Sequence, residues 1–102
     1  MPSMKAALLT VVATLKAKPG REAEVRRTLL ALIAPTRQEP GCQNYDLHQA
    51  VGDPAAFLFH ENWTSKRHLD DHLARPHLKA LLARADELFA EPPQIALWEK
   101  IG

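Results

Sequence analysis

Apolar and polar positions alternate strictly from residue 57 to 64. As a strand, Phe57-Leu58-Phe59-His60-Glu61-Asn62-Trp63-Thr64 puts Phe57, Phe59, Glu61 and Trp63 on one face. Leu58, His60, Asn62 and Thr64 take the other. The same period over 7–17 predicts a first strand, with Leu9, Val11, Ala13 and Leu15 on one side and Thr10, Val12, Thr14 and Lys16 on the other. Lys18-Pro19-Gly20 is a turn. The spacing of Val25, Leu29, Leu32 and Ile33 then predicts a helix over 21–38, which Pro35 kinks or ends early. Glu39-Pro40-Gly41 reads as punctuation before a more polar strand over 42–49, with Tyr45 and Leu47 on one side. Gly52-Asp53-Pro54 turns the chain into the strand that carries Glu61. Thr64 or Ser65 caps a helix running to about 75, and Pro76 interrupts it. Leu78, Leu81, Leu82, Ala85, Leu88 and Phe89 resume a helical stripe, Pro92-Pro93 stops it, and 94–101 reads as a last strand.

The element order is β-α-β-β-α-β, an α+β arrangement with both helical segments on one face of an antiparallel sheet. The opposite face carries Thr10, Val12, Leu58 and Trp98 among polar neighbours. That mixture is too apolar for a fully solvated surface, so a second sheet is expected there. A homodimer closing a barrel between two such sheets is the economical solution, with Trp98 at the subunit interface.

Bulk properties narrow the function classes. The 102 residues make one domain over 1–102, with 46% hydrophobic and 25% charged residues and a formal net charge of +1. Basic residues are interleaved with acids, as in Arg21-Glu22-Ala23-Glu24-Val25-Arg26-Arg27, so neither nucleic acid nor an anionic membrane is an expected partner. A lone Cys42 excludes an internal disulfide framework and fits a reducing compartment. It reads as a small hydrophobe at a strand start rather than a nucleophile. Residues 1–15 loosely imitate a signal peptide. Lys16 and Lys18 follow at once, however, no A-x-A pattern is present, and the stretch is too short to span a bilayer. A cytoplasmic location is the expectation.

Glu61 is the informative residue. A carboxylate in an aromatic row must find a partner or have its ionisation disturbed, because an unpaired buried charge costs several kcal/mol. On the following helix Leu69 and Leu73 define the inward stripe, and His72 lies on its flank toward the same interior. His72 is therefore the candidate proton acceptor and Glu61 the group that orients it; a purely structural His–Glu hydrogen bond in the core is the alternative. His68 and His72 have the i, i+4 spacing of metal ligands. The glutamate of a zinc-protease motif is missing, and only His77 or Glu61 is left as a third ligand, so no metal is expected. His77 starts the second helical piece, at the pocket mouth or hydrating the break. Tyr45, Phe59 and Trp63 are pocket walls or plain core. No Gly-rich phosphate loop, Ser-His-Asp order or CxxC pair supports nucleotide cofactors or acyl-enzyme chemistry.

Several motifs together resemble the antibiotic biosynthesis monooxygenase domain family, its quinol-monooxygenase-like bacterial members above all. They are Lys18-Pro19-Gly20, Glu39-Pro40-Gly41-Cys42 with Tyr45, Phe59-x-Glu61-x-Trp63-x-Ser65, Leu69-x-x-His72 and Pro76-His77, and the likeness runs from about 8 to 100. The resemblance implies a ferredoxin-like fold, a homodimeric α+β barrel and a pocket between sheet and helices. It further implies oxygenation of a quinol or phenolic aromatic by molecular oxygen, with no flavin, haem or metal cofactor. Polyketide-oxidising members pair the tryptophan with an Asn where this chain has Phe59, and their site Tyr and Arg fall on Leu69 and Leu82. Haem-degrading relatives carry an Asn at the position of Ala13 and a haem-ligating His near Leu82, which disfavours haem chemistry here. An isomerase or degradative enzyme for a small carbonyl metabolite, or a non-catalytic ligand-binding dimer, fits the same domain.

Overall fold

The computed structural model describes residues 8–102. The expected strand start at residue 7 and the basic beginning of the signal-like segment lie outside them. Four strands form one antiparallel sheet in the order β2-β3-β1-β4: β1 Leu9–Lys16, β2 Cys42–Ala50, β3 Asp53–Trp63 and β4 Gln94–Glu99. With the helices on one face this is the ferredoxin-like α+β fold.

The alternation along β3 is realised as read. Phe57, Phe59, Glu61 and Trp63 are buried, while His60 and Thr64 are exposed. Register sets Val11 and Tyr45 opposite Glu61, and Ala13 and Leu47 opposite Phe59. Side chains of one sheet face therefore converge on that carboxylate.

The helix expected over 21–38 is two: α1 Glu22–Leu30 and α2 Ile33–Arg37. Pro35 explains the break. It sits inside α2, and its ring excludes the carbonyl four residues back, which is Ala31, the residue that ends α1. Thr36 is thereby turned fully inward, and Val25, Leu29 and Leu32 bury the stripe.

Ser65 caps α3 Lys66–Leu73, its hydroxyl accepting from the His68 backbone N–H. Pro76 occupies the first turn of α4 Pro76–Ala83, where a missing N–H does no harm, and it holds Arg75 extended at φ −68°, ψ 149°. The second stripe breaks once more at Arg84, before the short α5 Ala85–Leu88. The α3–α4 corner at 74–75 places His72 at the end of one helix and His77 at the start of the next.

The other sheet face is bare in the single chain. Thr10 bonds Asn62 at 2.6 Å, Asn62 donates to Asn44 at 2.8 Å, and Val12 and Leu58 lie half-buried among them. Along edge strand β4, Ile95, Leu97 and Trp98 are exposed, Trp98 by 58%. Among the described residues no helix is long and apolar enough to cross a membrane.

Candidate active site

His72 is sealed in the core, its side chain 2% exposed. Its ring lies 4.7 Å from the Trp63 ring and 5.4 Å from Tyr45, which stacks on Phe59 at 4.4 Å. Burial pulls its pKa below the ordinary 6.5, against the opposing pull of Glu39. That direction favours the neutral imidazole.

The imidazole is not hydrogen-bonded to Glu61, the partner expected from the sequence. Its Nδ1 lies 3.0 Å from Oε2 of Glu39, and the same oxygen receives Nε2 of His77 at 2.9 Å. Glu39 is itself buried, 8% exposed, in the turn between α2 and β2. The reason lies in the turn. Pro40-Gly41 has the residue order of a type II turn, with Gly41 at φ +83°. A Cβ on Gly41 would stand 2.3 Å from Cγ of His68, so only glycine lets the turn pass beneath that ring. The tight passage swings Glu39 inward beneath the α3–α4 corner. With Glu39 as acceptor, Nδ1 of His72 carries the proton and Nε2 keeps the lone pair.

Glu61 instead accepts the indole N–H of Trp63 at 2.8 Å. Its carboxyl is pushed up to about 7, chiefly by burial and further by the negative charge of Glu39, with the Trp63 bond opposing. Near neutrality this group is therefore divided between acid and anion. Burial likewise raises the Tyr45 hydroxyl, against an opposing pull from Thr36, and pushes the Cys42 thiol up to about 11. Such a thiol is a poor nucleophile at neutral pH.

Tyr45, Phe59, Glu61 and His72 line a narrow cavity of about 40 Å³ against Leu69, Leu78 and Leu81. Leu82 and Ile95, both exposed by more than two-fifths, stand at its outer end. An apolar cavity that takes benzene measures roughly 150 Å³. An aromatic guest would therefore have to displace side chains at this mouth. Trp63 does not border the cavity; it backs Glu61 and His72. His77, expected at the pocket mouth or hydrating the break, faces Glu39 and Thr36 instead, with its side chain 24% exposed.

His68 is no partner for His72. Its Nδ1 lies 2.9 Å from the hydroxyls of both Thr64 and Ser65, and its ring packs on Gly41. Glu39 is the residue that sequence reasoning missed. It sits in a turn, outside any periodic pattern, and its histidines are 33 and 38 positions away. The one available signal was a carboxylate directly ahead of a Pro-Gly turn leading into the strand that carries Tyr45.

Comparison with known proteins supplies the family. The antibiotic biosynthesis monooxygenase model matches residues 8–84. The chain is 35% identical over 85 residues to a protein of Escherichia coli named "Probable quinol monooxygenase YgiN", covering 72% of this chain and 80% of that one. It is 29% identical over 91 residues to the uncharacterized protein sll1783 of Synechocystis, covering 89% of this chain but spanning only 62% of that protein's length. The crystal structure of PA3566 from Pseudomonas aeruginosa superposes with a TM-score of 0.89 at 33% identity, over 98% of this chain and all of that one. On its motifs, its fold and these matches, the chain belongs to the antibiotic biosynthesis monooxygenase family.

Proposed function

We propose that this protein oxygenates a small quinol or phenol with molecular oxygen, using His72 as base and no bound cofactor. The observation that carries the reading is a buried imidazole, held through Nδ1 by a buried carboxylate and bordering a cavity that Tyr45 and Phe59 share with aliphatic side chains. His72 Nε2 takes the phenolic O–H proton, and the resulting phenolate is electron-rich enough to reduce oxygen. The ring carbon forms a bond to dioxygen and the peroxide is protonated. Loss of the carbon-bound proton then breaks the O–O bond, so that one oxygen stays as the quinone carbonyl and the other leaves as water. Glu61, held near 7, is suited to pass a proton to the peroxide. Phe59 and Tyr45 form the walls and keep water out, and Trp63 fixes Glu61. His77 acts through Glu39 rather than by touching substrate.

The proposed unit is a homodimer, in which a second copy covers Val12, Leu58 and Trp98 on the bare sheet face. A reducing compartment is proposed on the single half-buried thiol.

The test is oxygen uptake with a panel of hydroquinones and naphthols. Uptake above the spontaneous rate is expected with at least one of them, one oxygen molecule per product. His72→Gln should lower it by roughly 10²–10⁴ while the protein stays folded. Spontaneous rates across the whole panel, or an undiminished rate in His72→Gln, would refute the reading.

A further inference from the structure

Glu39, His72 and His77 reach one point from three separate segments: a turn, the last turn of α3 and the first turn of α4. Their candidate ligand atoms all lie within 4.8 Å of one another. Two of the three edges, from Oε2 to Nδ1 of His72 and to Nε2 of His77, measure 3.0 and 2.9 Å. A tetrahedral ion with nitrogen and oxygen ligands at about 2.0–2.2 Å keeps those atoms roughly 3.3–3.6 Å apart. Those two edges would therefore open by roughly 0.3–0.7 Å on binding, and the third lies within 4.8 Å.

We propose that these three residues bind a divalent transition ion of the zinc type, and that its binding silences the site. Two imidazoles and one carboxylate form a donor set that suits zinc, cobalt, nickel or ferrous iron and discriminates against calcium and magnesium. Around it the Thr36 hydroxyl lies 3.2 Å from Nε2 of His77, a neutral oxygen at the margin of the set. Arg75 stands 3.6 Å from the other carboxylate oxygen, with its side chain half exposed to solvent. His77, with a quarter of its side chain exposed, gives the ion a way in from the surface. His68, the ligand suggested by i, i+4 spacing, is held by Thr64 and Ser65 and takes no part.

The consequence for catalysis rests on the function proposed above. An ion on Nδ1 of His72 displaces the proton from that nitrogen, and the neutral ring then carries it on Nε2. The lone pair needed to accept the phenolic proton is gone. The ion is thus an inhibitor of this site, bound at the face of the imidazole that does not meet substrate.

Purified protein titrated with Zn²⁺ in a calorimeter, against a chelator of known affinity, tests the proposal without any substrate. One ion per chain is expected, and His77→Asn should weaken it by at least the roughly 10–100-fold that loss of an outer-shell partner costs. His77 is partly exposed, so that variant keeps the core intact; Glu39→Gln is the confirming change. Removing the exposed His48 or His60 should leave the binding unchanged. Absence of stoichiometric binding, or equal affinity in His77→Asn, would overturn the site. Binding that His77→Asn abolishes, with oxygen uptake unaffected by the ion, would uphold the site and remove His72 as the base.

Discussion

Glu61→Gln should make the protein more resistant to alkaline conditions, and the structure sets the size of the effect. The wild-type carboxyl is pushed from 4.5 up to about 7, by burial first. Below pH 4.5 folded and unfolded chains both hold this proton, and the group is neutral to stability. Between 4.5 and 7 the unfolded chain releases it while the folded chain keeps it, so stability falls as pH rises. Above 7 the loss is complete. The gap from 4.5 to about 7, at 1.36 kcal/mol for each pH unit, comes to about 3 kcal/mol. Glutamine keeps a carbonyl oxygen for the Trp63 indole but cannot ionise. Its NH₂ adds a constant offset, which cancels when one pH is compared with another. Urea unfolding at fixed protein concentration, from pH 4.5 to 8.5, reads the difference. The variant should gain on the wild type by about 3 kcal/mol across that range, roughly a 1–3 M shift in midpoint. Parallel curves would refute the reasoning, because they would mean that Glu61 titrates alike in both states.

Gly41→Ala should lower stability by about 2 kcal/mol or more, or at least roughly 8 °C in thermal midpoint, through a positive φ and a clash with His68. Gly20→Ala shares the positive φ but meets no atom within 4 Å, so it should lose only the backbone part. Equal losses in a melting experiment would contradict the close passage. At pH 8 the Cys42 thiol should react with a disulfide reagent roughly tenfold or more slowly than free cysteine, accelerating up to its pKa of about 11. A rate that levels off below pH 9 would count against its burial. Trp98→Asp should convert a micromolar dimer to monomer in sedimentation velocity. A wild-type monomer, or a dimeric variant, would remove the bare sheet face as the interface.

Element order, the approximate helical segments and the inward row of β3 were legible because each follows from local periodicity. Phe57, Phe59, Glu61 and Trp63 are buried at period two, and Val25 and Leu29 at helical spacing. The proline effects were legible in kind. Pro35 did break its helix, although the break fell four residues upstream, at the carbonyl its ring excludes. The partner of His72 was not legible. Glu61 and Glu39 are both acids near apolar residues, and nothing local ranks them. The choice depends on how Gly41 lets a turn slide beneath His68, a contact between segments 27 positions apart in the chain.

From the sequence alone follow the α+β order, an acid and an imidazole turned toward one interior, and the family motifs that span them. These come from alternation and spacing, which the backbone enforces wherever it folds. Tertiary packing alone assigned the hydrogen bonds. It gave Glu39 to His72 and His77, gave Glu61 to Trp63, and left a cavity far narrower than an aromatic ring requires. Side-chain pairing inside a core is decided by ångström-scale approach between distant segments, and no pattern along one strand or helix encodes that distance.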